Sequence, residues 1–127
     1  MKIEHFAFNV SAPIEIAAWY VANLGMTVTL KLDEAPHTHF LTDSSGSVMI
    51  EIYNNPVNEV PDYANMDPLI IHLAFVSEDP LADQIKLIAA GATFYIETHF
   101  ADGSYLVMLR DPWGLPIQLC KRGVSLL

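Results

Sequence analysis

The sequence repeats one pair of potential metal ligands at a fixed separation. His5 and Glu51 lie 46 residues apart (51 − 5), and His72 and Gln118 lie the same 46 residues apart (118 − 72). The second pair follows the first by 67 positions (72 − 5 and 118 − 51). Because each pair combines an imidazole with a side-chain carbonyl oxygen, the chain is predicted to contain two copies of one unit.

The segments around the two pairs repeat as well. Residues 5–8 (HFAF) correspond to residues 72–75 (HLAF), and the turn sequence 43–46 (DSSG) corresponds to 111–114 (DPWG). The turns are offset by 68 positions (111 − 43), so one residue is gained before the turn and lost after it, as loops tolerate. A duplicated unit should repeat its turns and its packing together with its ligands, and these segments do so.

Length and composition favour one compact domain and exclude several classes of protein. A chain of 127 residues, 52% of them hydrophobic, is sufficient for a core. The formal net charge of −9 repels phosphate backbones, so nucleic acid is not an expected partner. The sequence has neither the roughly 20 unbroken apolar residues of a membrane helix nor a signal-peptide pattern. We therefore expect a cytoplasmic protein without a membrane partner. Since Cys120 is the only cysteine, an intrachain disulfide is not possible.

Hydrophobic periodicity and turn residues predict an α+β fold of two tandem βαβββ modules. In the first module, strands are predicted over 2–10, 26–32, 38–42 and 48–53, with a helix capped by Ser11 and ended by Gly25. In the second, strands are predicted over 69–76, 92–97, 104–109 and 116–121, with a helix over 80–90. The Pro-containing segment between them favours a linker, so the single domain divides near 1–54, 55–68 and 69–123.

Apolar residues recur at helical spacing in both predicted helices. The first helix carries this pattern at Ile14, Ala17, Ala18, Val21 and Leu24. The second helix is predicted to direct Leu81, Ile85 and Ile88 inward. Both patterns predict helices packed on a sheet.

Glu51 is an acid within an otherwise apolar strand. Met49, Glu51 and Tyr53 alternate with apolar residues and are predicted to share one face of that strand. Because an unpaired charge is costly to bury, Glu51 requires a partner such as a cation. Tyr53 is a candidate pocket residue beside it. His37 and His39 are predicted to share one face of a neighbouring strand and to contact substrate, with a solvated loop edge as the alternative.

Taken together, these residues resemble the vicinal oxygen chelate superfamily, which includes glyoxalase I, extradiol dioxygenases and the bleomycin resistance proteins. The resemblance covers essentially the whole chain. It rests on the following elements: His5, Trp19-Tyr20, Leu24-Gly25-Met26, Glu51, His72, and Asp111-Pro112-Trp113-Gly114 followed by Gln118. It implies curled mixed sheets that form a cleft, and a homodimer that builds or completes that cleft.

The resemblance further implies a divalent metal bound by His5, Glu51, His72 and Gln118. Two imidazoles and two oxygens suit Zn, Ni, Co, Fe or Mn, with open positions for the oxygens of a small-molecule substrate. The order of ligands is most similar to that of glyoxalase I, which isomerises a hemithioacetal by moving a proton through an enediolate. Glu51 is the expected proton carrier in such a reaction.

Gln118 departs from the glutamate usual at this position in glyoxalase I. An amide oxygen can bind a metal but has no useful basicity at neutral pH, so Glu51 would have to act as the base, with a possible helper in His37, His39 or His99. Two alternatives therefore stay open. One is a non-catalytic protein that sequesters a drug, and the other is a metal enzyme of this fold with another reaction, such as an epimerase or a dioxygenase.

Overall fold

The computed structural model describes residues 1–126. These residues form two compact units, Met1–Pro61 and the residues from Asp62 onward. Each unit contains one helix and four strands in the order β, α, β, β, β, so the predicted α+β fold of two βαβββ modules is confirmed. Within the described part of the chain, neither helix has the length and apolar character needed to cross a membrane.

The first unit is a four-stranded mixed sheet covered on one face by a helix. Its elements are β1 (Phe6–Asn9), α1 (Pro13–Leu24), β2 (Thr27–Lys31), β3 (His39–Thr42) and β4 (Met49–Tyr53). The strand order is β1-β4-β3-β2, with β1 parallel to β4 and the other pairs antiparallel. Helix α1 packs against β2, β3 and β4, where the core is formed by Ile16, Tyr20, Leu41, Ile50 and Ile52.

The second unit repeats this arrangement. Its elements are β5 (Leu73–Val76), α2 (Pro80–Ala89), β6 (Thr93–His99), β7 (Tyr105–Arg110) and β8 (Pro116–Lys121). The strand order is β5-β8-β7-β6, again with a parallel first pair. Phe6 pairs with Ile50 in the first sheet, and Leu73 pairs with Ile117 in the second. Both partners are shifted by 67 positions (73 − 6 and 117 − 50), so the register of the sheets follows the repeat of the sequence.

The two hairpin turns also share the same backbone hydrogen bond and a glycine with a positive φ angle. Gly46 donates its N–H to the carbonyl of Asp43, and Gly114 donates to the carbonyl of Asp111, each at 3.0 Å. Both glycines have positive φ angles, 68° and 92°. At Gly114 an added Cβ would lie 2.7 Å from the backbone N of Ala64, so this position excludes a side chain by space as well as by conformation.

The first strand of each unit is shorter than predicted. Strand β1 begins at Phe6 and β5 begins at Leu73, so His5 and His72 each lie one residue before a strand. Alternating apolar residues extended the prediction to residues 2 and 69, but pairing with β4 and β8 starts only at Phe6 and Leu73. Both histidines therefore occupy equivalent positions at strand entrances.

The inner face predicted for the second helix is wrong, and the spacing in the first helix does not identify its packed side. Helix α1 buries Pro13, Ile16, Ala17 and Tyr20 while Ile14 and Val21 are exposed. Helix α2 buries Pro80 and Leu87, whereas Leu81, Ile85 and Ile88 are exposed by 53%, 63% and 41%. Because both helices carry apolar residues on more than one side, spacing alone did not identify the packed side. The predicted Ser11 cap is also wrong, since Ala12 is the N-cap and makes no side-chain cap bond.

Candidate metal centre

In the first unit, the sheet register brings His5 and Glu51 together. Ala7, two residues after His5, is the register partner of Glu51 across the parallel β1–β4 pair. Residues two apart in an extended chain share a face, so the imidazole and the carboxylate meet on the same side. The distance between His5 Nε2 and Glu51 Oε2 is 3.2 Å. Both side chains are partly exposed, 33% for His5 and 20% for Glu51, which leaves them accessible to a ligand.

The other ring nitrogen of His5 is held by a second carboxylate. Nδ1–H donates to Glu4. This hydrogen bond is the main reason that the pKa of His5 lies above its ordinary value; the negative charges of Glu4 and Glu51 add to the shift, and partial desolvation opposes it. A carboxylate on Nδ1 fixes the tautomer and directs Nε2 toward Glu51 and any cation bound there.

In the second unit, the same register relates His72 to Gln118. Ala74, two residues after His72, pairs with Gln118 across the parallel β5–β8 pair. His72 Nδ1 is 2.9 Å from the carbonyl oxygen of Pro68, to which it donates when protonated. The carbonyl oxygen of Gln118 accepts a hydrogen bond from the Cys120 thiol at 3.2 Å. Burial raises the pKa of this thiol, so Cys120 remains the donor near neutral pH.

The chemistry of these donors fits a divalent metal. Each histidine has Nδ1 engaged by an oxygen acceptor, Glu4 in one case and the Pro68 carbonyl in the other, and Nε2 of His5 lies beside the Glu51 carboxylate. Such outer partners are typical of metal-binding histidines in proteins. Across residues 1–126, no three His, Cys, Asp or Glu side chains form a metal-binding group. The assignment of His5, Glu51, His72 and Gln118 as four ligands thus stays a prediction.

The surroundings of His5 are aromatic. The rings of His5 and Phe40 meet edge to face, with their centroids 5.5 Å apart. Phe40 is the register partner of Glu51 across the β3–β4 pair, so both side chains project from the same face of the sheet. Tyr53, two residues beyond Glu51 on β4, lies on this face as the alternation of the strand predicts. Its contact with substrate stays a prediction.

His37 and His39 do not share a strand face. His37 lies before β3 with a positive φ of 56°, so the prediction that it belongs to the strand is wrong. His39 is buried and pairs with Ile52, which places it on the face opposite Glu51, beneath α1. Its Nδ1 lies 2.8 Å from the carbonyl oxygen of His37. Substrate contact by either histidine stays a prediction.

The sequence analysis missed Arg110, which holds the backbone segment before His72 in place through hydrogen bonds. Its guanidinium donates to the carbonyl oxygens of Tyr63 at 2.5 Å, Met66 at 2.6 Å and Gly114 at 3.2 Å. The first two belong to the segment that ends at Pro68, whose own carbonyl binds His72. A lone arginine in the apolar strand sequence YLVMLR was the available signal, because a cation placed among apolar residues requires hydrogen-bond acceptors.

The chain has two tandem βαβββ units, each with a histidine just before its first strand and an oxygen-bearing polar side chain on its last strand. A family model described as the Glyoxalase/Bleomycin resistance protein/Dioxygenase superfamily matches residues 2–119. The chain belongs to this superfamily. No curated protein matches it.

Solved structures with the same fold carry different functional names. A glyoxalase family protein from Enterococcus faecalis is 26% identical, with a TM-score of 0.66 over 94% of this chain and 97% of that one. A lactoylglutathione lyase from Agrobacterium tumefaciens is 19% identical, with a TM-score of 0.70 over 99% and 97%. An antibiotic binding protein from a Streptomyces species is 15% identical, with a TM-score of 0.72 over 96% of each chain. At identities under 25%, the last two share the fold alone.

Proposed function

We propose that the protein is a metal-dependent, glyoxalase-like lyase or isomerase whose small-molecule substrate presents two oxygens to a divalent metal. The observation that carries this proposal is the contact of His5 Nε2 with Glu51 at 3.2 Å while Nδ1 is held by Glu4. An imidazole fixed in this way and paired with a carboxylate is suited to bind Zn, Ni, Co, Fe or Mn. His72 and Gln118 are proposed to complete the set of ligands.

Glu51 and Gln118 would have different roles in this reaction. A bound divalent metal would supply Lewis-acid stabilisation of negative charge on the substrate oxygens. Glu51 would accept a proton from the carbon that bears the hydroxyl group and return it to the adjacent carbonyl carbon, while the hydroxyl proton passes to the former carbonyl oxygen. Gln118 would bind and orient without exchanging a proton, because a neutral amide is not a base near pH 7.

We further infer that the functional form is a homodimer in the cytoplasm. On α2, the exposed Leu81 and Ile85 would gain free energy by burial against another protein surface. The single thiol, Cys120, is compatible with a reducing compartment. Light scattering of the purified protein tests the dimer, since one chain weighs 14.1 kDa. A mass that stays near this value at all concentrations contradicts it.

Metal analysis tests the proposed function directly. We expect about one divalent ion for each chain of purified protein, and none in the double variant His5→Ala/His72→Ala prepared in parallel. The metal-loaded protein should then turn over an oxygen-chelating substrate, with methylglyoxal and a thiol as the first pair to screen. If Glu51→Gln keeps its metal and loses no turnover, Glu51 is not the base.

The net charge of −9 favours a second candidate function, the sequestration of a cationic drug without catalysis. The fold is shared with an antibiotic binding protein, which is compatible with this role. Failure to bind Zn, Ni, Co or Mn would select it over the metal enzyme. Titration with cationic drugs would then be the appropriate screen.

A further inference from the structure

We propose that the metal site takes a neutral or cationic molecule in which the two chelating oxygens adjoin an apolar ring or alkyl group. The site would discriminate against anionic conjugates, including those of glutathione. This inference rests on the proposed function and names its class of substrate. It comes from the side chains that the sheets place beside each pair of ligands.

The first argument is the row of residues that crosses each sheet at the oxygen ligand. In the first unit, Glu51 is flanked by Ala7 on β1 and Phe40 on β3, and Phe40 pairs in turn with Leu30 on β2. Directly paired residues project from the same face, with Cβ atoms about 4.5–5.5 Å apart. The carboxylate therefore lies in a row of apolar side chains.

The second unit carries an equivalent row. Gln118 is flanked by Ala74 on β5 and Met108 on β7, and Met108 pairs with Ile96 on β6. Leu30 and Ile96 are each 53% exposed, so both rows end in apolar surface that a ligand could cover. In each unit, a group attached to a chelating head would meet hydrocarbon next to the ligand pair.

The second argument is the lack of available positive charge on these faces. Lys31 pairs with His39, and Lys121 follows Cys120 on β8, so both point away from the face that carries the ligands. Arg110 shares the face of Gln118 through its pairing with Pro116, but its guanidinium is committed to three backbone carbonyls. Among the strands of the described chain, no other lysine or arginine projects from a ligand face. Beside Glu51, an anionic substituent would therefore meet a chain of net charge −9 without a lysine or arginine on that face of the sheet. Beside Gln118, the exposed Arg122 follows β8 and its charge acts on the Cys120 thiol, so the discrimination is expected chiefly from the first unit.

Three hydroxamates with one chelating head and different tails test this inference. The probes are acetohydroxamate, benzohydroxamate and 4-carboxybenzohydroxamate, titrated calorimetrically into Zn-loaded protein with metal-free protein as the blank. We expect benzohydroxamate to bind at least about tenfold more tightly than acetohydroxamate, because the ring covers apolar surface. The carboxylated probe should bind at least about threefold more weakly than benzohydroxamate.

Two variants with the same net charge identify the row as the cause. Leu30→Lys adds a cation at the edge of the ligand face and should reverse the order of benzohydroxamate and its carboxylated analogue. Val21→Lys adds the same charge on the exposed side of α1 and should leave the order unchanged. Phe40→Ala should reduce the advantage of benzohydroxamate over acetohydroxamate, and Phe40→Leu should restore most of it.

The outcomes separate this inference from the proposed function. Metal-loaded protein that binds all three probes equally, or prefers the carboxylated probe, overturns the inference while the metal site stands. A protein that takes up no metal overturns the proposed function and the inference with it. An identical response of Leu30→Lys and Val21→Lys would assign any preference to net charge and would also contradict the role of the row.

Discussion

The two units hold their proposed ligand pairs at equivalent positions of two separate sheets, but the side chains that support each pair differ. In the first unit, a carboxylate holds the histidine and a carboxylate is its partner ligand. In the second, a backbone carbonyl holds the histidine and an amide, bonded to a thiol, takes the place of the acid. The repeat therefore preserves register and turn geometry, whereas a carboxylate is present only in the pair of the first unit.

In the proposed function, this difference would give the two pairs separate roles. A carboxylate can bind a cation by charge and can also carry a proton, whereas an amide can only donate or accept hydrogen bonds and offer a weak ligand oxygen. His72 is instead positioned by a segment that Arg110 fixes through backbone carbonyls. The first unit is suited to charge and proton transfer, and the second to rigid orientation.

The largest effect is the difference in Zn affinity expected between the variants Glu51→Ala and Gln118→Ala. Loss of an outer hydrogen-bond partner typically weakens metal binding by about 10- to 100-fold. Removal of the anionic ligand Glu51 should weaken Zn binding by more than this. Removal of the neutral ligand Gln118 should weaken Zn binding by about tenfold or less, since no charge is lost. Competition with a chromophoric chelator measures both affinities. Equal losses would show that charge does not distinguish the two pairs.

The next effect concerns Arg110, which has Thr42 as its counterpart in the first unit by sheet register. Arg110→Met keeps the volume of the stem but leaves three carbonyls without their cationic donor. We expect a loss of about 2–3 kcal/mol in the free energy of unfolding, measured in urea. Thr42→Val is the matched control and should cost less than about 1 kcal/mol, because the Thr42 hydroxyl makes exposed bonds only. A loss in the control as large as that in Arg110→Met would contradict the comparison.

Much of the fold was predictable from sequence because each structural element is indicated in both copies of the repeat. The order of strands and helices, the turns at Asp43 and Asp111 and the shared face of Glu51 and Tyr53 all follow from period-two alternation and turn residues. The register that pairs Ala7 with Glu51 repeats at Ala74 and Gln118, as the constant offset of 67 required. Local patterns and long-range pairing agree in these regions.

The errors arise where local pattern does not determine the tertiary partner. Ile85 has the spacing of a core residue, yet α2 is packed through Leu87 and leaves Ile85 exposed. His39 alternates correctly along its strand, but only the pairing with Ile52 shows that it faces the helix. The bonds of Arg110 to Tyr63 and Met66 cross 44 or more positions of sequence, which no local pattern reports.

A smaller effect is expected from the acid that holds His5. Glu4→Ala should weaken Zn binding by about tenfold, the lower end of the range for outer partners, because the Glu4 side chain is 68% exposed. The corresponding acceptor of His72 is a backbone carbonyl and cannot be removed by substitution. Only the acceptor of His5, the Glu4 carboxylate, can therefore be tested in this way. Glu78→Ala, an exposed acid of the second unit, is the control. A similar loss in both variants would indicate a general effect of charge.

The smallest expected effect is the pH dependence of the stability that the turn aspartate Asp43 contributes. Asp111 is buried and accepts N–H bonds from Trp113 and Leu115, whereas Asp43 is partly exposed. Desolvation acts to raise the pKa of Asp43, but bonds from the Ser45 hydroxyl and nearby backbone N–H groups outweigh it, so the pKa lies below the ordinary 3.8. A lowered pKa in the folded state stabilises the protein above the unfolded value, and this contribution is lost as pH falls through the folded value.

We therefore expect Asp43→Asn to be less stable than the parent protein by about 0.5–1 kcal/mol at pH 7, a small value because the turn is solvated. The difference should stay constant between pH 7 and pH 5, where the carboxylate of the parent is ionised in both states. Below the ordinary pKa of 3.8 it should shrink, because the protonated acid offers the turn little more than an amide does. Urea unfolding at a series of pH values measures the difference. A gap that persists undiminished at the acid end would mean that the ionised form of Asp43 does not stabilise this turn.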